Sequence, residues 1–180
     1  HALDRRQRQM CIRDRSGGML TEIGDNNLFM ANSHVGHDSK VGNNNIFANS
    51  VALSGHVTIC NNVILGGLAA VHQFVRLGDY SFLSGGAMIT MDVPPYCFGQ
   101  GDRCQLRGIN VVGLERNGFT KEEVKAIRKA YRHFFSATGN LKEKIASLAP
   151  ELCQEPKVQA LIDFIKSSER GICNPAKQLS

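Results

Sequence analysis

Four of the six histidines, His34, His37, His56 and His72, fall at places tied to one repeat distance. Val35, Leu53 and Val71 are apolar residues eighteen apart. His34 and His37 flank the first, Gly55-His56 follows the second, and His72-Gln73 follows the third. If eighteen residues make one coil, the four imidazoles gather along one edge, spread over two inter-coil steps of about 10 Å in all. An imidazole near its unperturbed pKa takes a proton at neutral pH, so it is suited to activate a hydroxyl as general base. Asp38 follows His37 directly and is placed to orient or support its imidazolium. Adjacent strand residues point to opposite faces, so that contact requires a turn between them. One such histidine alone reads as a solvated turn residue. Four on one column do nothing evident for folding, because apolar residues already fill the core, and they point to function.

The eighteen-residue distance contains a shorter one. Every sixth residue from Ile23 to Ile89 is bulky and apolar: Ile23, Phe29, Val35, Val41, Phe47, Leu53, Ile59, Leu65, Val71, Leu77, Leu83 and Ile89. With 42% hydrophobic residues, twelve hits in phase are far beyond chance. Two residues before each, the side chain is small, β-branched or Asn, from Thr21 and Asn27 to Ser81 and Ala87. A period of six fits neither an α-helix nor alternating strands. It is the hexapeptide signature of a left-handed parallel β-helix. Each hexad makes one short strand and a turn, three hexads make a triangular coil, and residues eighteen apart stack at roughly 4.8 Å. Gly24, Gly36, Gly42, Gly66 and Gly78 follow column residues and are expected at turns needing permissive backbone. The Asn-rich stretches, such as 43–45, also tolerate left-handed turns.

The pattern divides the chain. Residues 16–91 are expected to form the β-helix. Asp92-Val93-Pro94-Pro95-Tyr96 should then end it, because two prolines remove ladder donors. Residues 97–119 read as a loop, making 92–119 a connecting segment. A helical domain over 120–171 follows. Thr120 and Glu123 form a capping box, and Val124, Ile127, Tyr131, Phe134 and Phe135 recur at helical spacing up to Gly139. A second helix is expected over Leu141–Leu148, bounded by Pro150. A third starts near Pro156 with Val158, Leu161, Ile162 and Ile165 on one face. Residues 172–180 read as a frayed tail.

Residues 1–15 look foreign. HALDRRQRQMCIRDR has no hexad phase, and MCIRDR is what one reading frame of a common sequencing-library transposon end encodes. The stretch reads as a non-native leader on a natural chain shortened at its N-terminus, with a natural basic tail as the alternative. It holds five arginines against two aspartates, so it supplies +3 of the net charge of +5. The remainder gives no case for nucleic-acid binding. No stretch approaches transmembrane length. The six cysteines have no C-x-x-C spacing, which argues against a zinc ribbon or a disulfide scaffold and for reduced thiols in the cytoplasm.

Several stretches carry a family resemblance: ANSHVGHDSKVGNN, LSGHVTI, GGLAAVHQFVRLG, DVPPYCFGQGD and GINVVGLERNGF. From about Gly17 to Gly171 the chain resembles the UDP-N-acetylglucosamine O-acyltransferases, which open lipid A biosynthesis. The resemblance implies a homotrimer with active sites between neighbouring β-helices. It implies transfer of an R-3-hydroxyacyl chain from acyl carrier protein to the glucosamine 3-hydroxyl, with the carrier thioester as donor and no cofactor or metal. His37 matches the family's general base, supported by Asp38, and the backbone N–H of Gly55 matches its oxyanion donor. His34, His56, His72 and Gln73 match groove residues. Asn110 and Arg116 match groups at the nucleotide end, where a guanidinium forks onto phosphate oxygens. Gly85 stands at the position that measures acyl length, and its lack of a side chain implies a long chain. Acyl carrier protein is acidic, and Lys121, Lys125, Arg128, Lys129 and Arg132 lie where a helix face can dock it.

Two departures stand out. Asn117 occupies a place where the family often has a second arginine. The family's first coils, which supply an acidic and a basic residue to the nucleotide site, are missing. A chain lacking them is expected to present an open sheet edge and to be impaired in activity. Two other functions share the repeat. One is another hexapeptide acyl- or acetyltransferase. The other is a zinc-dependent hydratase like the carbonic anhydrases of this architecture, in which three histidines hold the metal.

Overall fold

The computed structural model describes residues 20–135 and 140–176. The leader over 1–15 and the helix stop at Gly139 lie outside the described residues. Twelve two-residue strands run from β1 (Glu22–Ile23) to β12 (Met88–Ile89), one per hexad. They stack into three parallel sheets. We name the faces A, B and C in chain order. Face A begins with β1 and includes β4 (Lys40–Val41). Face B begins with β2 (Leu28–Phe29). Face C holds β3 (His34–Val35), β6 (Ala52–Leu53), β9 (Ala70–Val71) and β12. Partners are eighteen residues apart, as in His34 beside Ala52 and Val35 beside Leu53. This is a left-handed parallel β-helix with a helical C-terminal domain.

The apolar column is the core. Phe47, Leu53, Ile59, Leu65, Leu77, Leu83 and Ile89 are almost wholly buried, and each such side chain contributes about 1.5–3 kcal/mol of burial. Ile23, at 43% exposure, and the partly buried Phe29 are the exceptions, because β1 and β2 lie at the ends of their stacks. From Ser39 onward the residues two before the column are buried too. Two of the polar ones serve the backbone: the Asn45 side chain accepts from the Val63 N–H, and the Ser39 hydroxyl accepts from the Val57 N–H. A buried N–H left unpaired would cost about 1–3 kcal/mol.

The turns correct one expectation. The left-handed residue of each turn is not the glycine after the column residue. It lies two further on, at Asn26, Asn32, Asp38, Asn44, Ser50, His56, Asn62, Leu68, Phe74 and Tyr80, with φ between 56° and 65°. The glycines serve close coil-to-coil approach instead. A Cβ on Gly36 would run into the Ser54 carbonyl below the next coil's turn, and one on Gly42 would stand 2.7 Å from the Cys60 oxygen. At the turns after face A, Asn43, Asn61 and Asp79 form a ladder in which each side chain accepts from the backbone N–H of the residue one coil before. Burial, then the Asp79 charge, pushes the nearby Cys60 thiol up to about 11, so that edge carries no thiolate at neutral pH. The five described cysteines are free thiols.

The prolines do not end the helix. Val93 donates to Arg76 and accepts from Gly78, and β13 (Cys97–Gln100) adds to face B beside β11 (Phe82–Leu83). Pro94 and Pro95 sit at turn positions that need no ladder donor, between the paired N–H groups of Val93 and Tyr96. The change lies just before them. Leu77 pairs with Val93 and Leu83 with Gly99, each two residues early. The coil has lost two residues at the corner after β12. The expected loop is also structured: β13 turns back into β14 (Gln105–Ile109), and α1 (Val111–Arg116) follows.

The helical domain comprises α2 (Lys121–Phe135), α3 (Leu141–Ala146), α4 (Pro150–Cys153) and α5 (Pro156–Lys166). The capping box forms, with the Glu123 carboxylate accepting from the Thr120 N–H and the Thr120 hydroxyl from the Glu123 N–H. Val124, Ile127, Phe134 and Phe135 pack inward against α5, which buries Val158, Leu161, Ile162 and Ile165. The tail is not frayed through residue 176. Ile172 bridges Asp92, Pro175 bridges Leu106, and Cys173 is buried. Among the described residues, no helix is long and apolar enough to cross a membrane.

Candidate active site

The edge between faces C and A gathers most of the histidines. Register stacks His37, Gly55 and Gln73 at one level of the turn and Asp38, His56 and Phe74 at the next. Asp38, His56 and Phe74 take the left-handed conformation. That conformation costs a non-glycine residue about 1–2 kcal/mol and supplies the turn that the His37–Asp38 contact requires. The His37 Nδ1 lies 2.8 Å from the Asp38 Oδ2. The Asp38 side chain is only 9% exposed, against 30% for His37, so a largely buried carboxylate orients a ring that solvent reaches. An Nδ1–H donated to the carboxylate puts the ring's lone pair on Nε2, the tautomer that general-base chemistry requires.

Two glycines hold this ring in place. A side chain at Gly55 would put its Cβ 2.6 Å from the His37 Nε2 and Cε1, so the imidazole lies directly on the Gly55 backbone. Gly36 lets the Ser54–Gly55 peptide approach closely enough to sit there. His56 meets His37 edge to face, with ring centroids 5.1 Å apart, and its Nε2 is 3.9 Å from the Asp38 Oδ2.

The other histidines are placed differently. His34 is on β3 itself and points out of face C, half-buried. His72 stands one coil above the pair, where its Nδ1 is 2.9 Å from the Arg170 Nη2 and 3.2 Å from the Gln73 carbonyl oxygen. His72 and Gln73 are exposed. The four imidazoles therefore share one face and its edge, but only His37 and His56 touch. Two neighbours were not foreseen. Phe74 stacks on His56 with centroids 4.8 Å apart, and the eighteen-residue step from His56 leads to it. Arg170 comes from the C-terminal segment, and no repeat points to it. Phe74 and Arg170, with Arg76, Asp92, Ser167 and Glu169, line a cleft of about 480 Å³ beside the histidines.

Gly85 is exposed at the edge between faces B and C, where a Cβ would come 3.2 Å from the Gly67 oxygen. Asn110 caps α1: its side chain accepts from the Gly113 N–H and donates to the Tyr80 carbonyl. Arg116 is exposed in the last turn of α1, and the Asn117 side chain donates to the Gly113 oxygen. Within one chain these residues are not gathered with the histidines. Lys121, Lys125, Arg128, Lys129 and Arg132 are exposed on α2.

His37, Asp38 and His56 also form a group whose possible metal-ligand atoms all lie within 4.8 Å of one another. Tetrahedral zinc ligands sit about 3.3 Å apart. The His37 Nδ1 is already committed to the carboxylate, so the donor set fits a hydrogen-bonded base better than an ion cage.

Comparison with known proteins points the same way. Residues 92–173 match the family described as Udp N-acetylglucosamine O-acyltransferase, domain 2, and residues 20–55 match the bacterial transferase hexapeptide repeats. A Myxococcus xanthus protein named acyl-[acyl-carrier-protein]–UDP-N-acetylglucosamine O-acyltransferase is 53% identical over 156 residues, which cover 87% of this chain and 60% of that protein. The chain spans about 60% of the length of the curated relatives it matches. The solved UDP-N-acetylglucosamine O-acyltransferase of Moraxella catarrhalis superimposes with a TM-score of 0.83 at 40% identity, covering 91% of this chain and 62% of that one. LpxA of Acinetobacter baumannii gives 0.83 at 32% identity, covering 91% of this chain and 73% of that one. These relatives are named for acyl transfer. The chain belongs to the UDP-N-acetylglucosamine O-acyltransferase family.

Proposed function

We propose that this chain carries the catalytic edge of an enzyme that moves an R-3-hydroxyacyl group from acyl carrier protein to the 3-hydroxyl of UDP-N-acetylglucosamine, the first step of lipid A biosynthesis. The observation that supports it most directly is the His37 imidazole held between the Asp38 carboxylate and the Gly55 backbone. The His37 Nε2 takes the proton of the sugar hydroxyl as its oxygen attacks the thioester carbonyl. The Gly55 N–H stabilises the resulting oxyanion. Collapse expels the carrier thiolate, which recovers the proton from the His37 imidazolium. Asp38 stabilises that cation while it lasts. No cofactor enters this scheme.

His34, His56, His72 and Gln73 line the acceptor and acyl groove in this reading. Asn110 and Arg116 hold the nucleotide end of a site completed by a neighbouring chain of a homotrimer. The exposed corner at Gly85, where no side chain projects, suits a long acyl chain. The basic face of α2 docks the acidic carrier protein, and the enzyme works in the cytoplasm. Arg116 alone carries the phosphate charge that relatives often share with a second arginine, since Asn117 spends its side chain on a helix cap.

The test is acyl transfer from hydroxyacyl carrier protein to UDP-N-acetylglucosamine, comparing wild type with His37→Ala. We expect a loss of about 10³-fold, within the range for a general base. Equal turnover in the two proteins would end the assignment. Metal analysis of the same preparation is expected to find no stoichiometric zinc. One zinc per chain, lost in His37→Ala, would favour hydration instead.

A further inference from the structure

The geometry points to Arg170 as a positioning residue that fixes which nitrogen of His72 bears the proton. Two groups compete for the His72 Nδ1. The Gln73 carbonyl at 3.2 Å needs an N–H there, whereas the Arg170 Nη2 at 2.9 Å needs a lone pair. A guanidinium only donates. Its contact is the shorter and is charge-assisted, so it prevails. The neutral ring therefore keeps its single proton on Nε2 and presents an N–H donor at the exposed end.

Arg170 is built to stay there. Its Nε donates to the Thr90 carbonyl at 2.6 Å, one step along the turn column from His72. Its segment is fastened by the fully buried Asp92 at the shortened corner. The Asp92 carboxylate accepts from the Arg76 N–H and the Ser168 hydroxyl, its N–H donates to the Gly171 carbonyl, and its carbonyl accepts from the Cys173 N–H. Gly171 has φ 85°, a value that suits glycine, and it turns the chain immediately after Arg170. The two missing residues make room for this segment. His72 thus becomes a fixed hydrogen-bond donor to an oxygen of the substrate and is barred from acting as a second base beside His37. That role rests on the acyl-transfer reading; the tautomer does not.

The test is nitrogen-15 NMR of histidine-labelled chain at about pH 8, where imidazoles are neutral. In wild type we expect His72 to carry its proton on Nε2 and His37 on Nδ1. In Arg170→Gln the His72 proton should move to Nδ1 and onto the Gln73 carbonyl, while His37 stays unchanged as the internal sign of an intact edge. Arg170→Lys should retain most of the Nε2–H form. Turnover in Arg170→Gln should fall about tenfold in kcat with KM nearly constant, in the range of other losses of ring-orienting partners. A wild-type His72 protonated on Nδ1, or a tautomer indifferent to Arg170, overturns the inference. So does unchanged kcat in an active enzyme. Loss of acyl transfer in every protein with the tautomers as expected would instead count against the proposed reaction.

Discussion

His37 and His72 stand two coils apart on the same edge, and each has its Nδ1 occupied. On His37 the partner is the Asp38 carboxylate at 2.8 Å; on His72 it is the Arg170 guanidinium at 2.9 Å. An acceptor on Nδ1 puts the ring's lone pair on Nε2, and a donor on Nδ1 leaves a proton on Nε2. In the proposed reaction, identical side chains at nearly equivalent repeat positions thus serve as a base and a donor. The difference lies entirely in what reaches the inner nitrogen. The left-handed turn brings Asp38 from within the same hexad, whereas Arg170 arrives from a segment far along the chain.

The sharpest way to break this contrast is Asp38→Asn. An asparagine that donates its amide N–H to Nδ1 would make His37 resemble His72. We expect kcat to fall about 10³-fold, because a wrong tautomer removes the base while leaving the packing, and the NMR signature of His37 should invert. A smaller loss comes from Gly55→Ala. The new methyl lies 2.6 Å from the His37 ring, so the imidazole must move off the oxyanion donor. A drop of about 10²-fold is expected, with the His37 tautomer preserved, which separates displacement from reprotonation in one pair of spectra. The least effect is expected from Phe74→Ala. Loss of the stack on His56 removes about 0.5–1.5 kcal/mol of ring contact. That should raise KM severalfold with little change in kcat, and steady-state kinetics against the sugar nucleotide would show it.

The solenoid was legible because a six-residue period constrains every coil in the same way. The twelve column residues from Ile23 to Ile89 each lie in their own strand, and the eighteen-residue step placed His37, Gly55 and His56 correctly along one edge. Glycine misled where its two uses look alike in sequence. Gly36 and Gly42 read as flexible turns, yet they are there because backbone from the next coil lies against them. The strands over residues 97–109 were hidden by glycine and polar residues whose pairing is supplied by β11 and by the tail. Phe74 was within reach of the same arithmetic. Arg170 was not, because its contact with His72 depends on how the helical domain returns to the edge. The nucleotide-end residues were named from resemblance. In one chain Asn110 is engaged in capping α1, which spacing alone does not reveal.

The coil shortened at Asp92 also sets a count. A repeat architecture ordinarily tolerates an extra unit, since each layer interacts only with its neighbours. Here the C-terminal clamp seats at the abbreviated corner, so its position is counted from the top of the stack downward. Duplicating one eighteen-residue unit between His56 and His72 would leave a foldable tower, yet it would lift the donor ring a storey away from the base. In the proposed reaction the number of layers between His37 and Asp92 is therefore a catalytic dimension, one that folding alone would let drift.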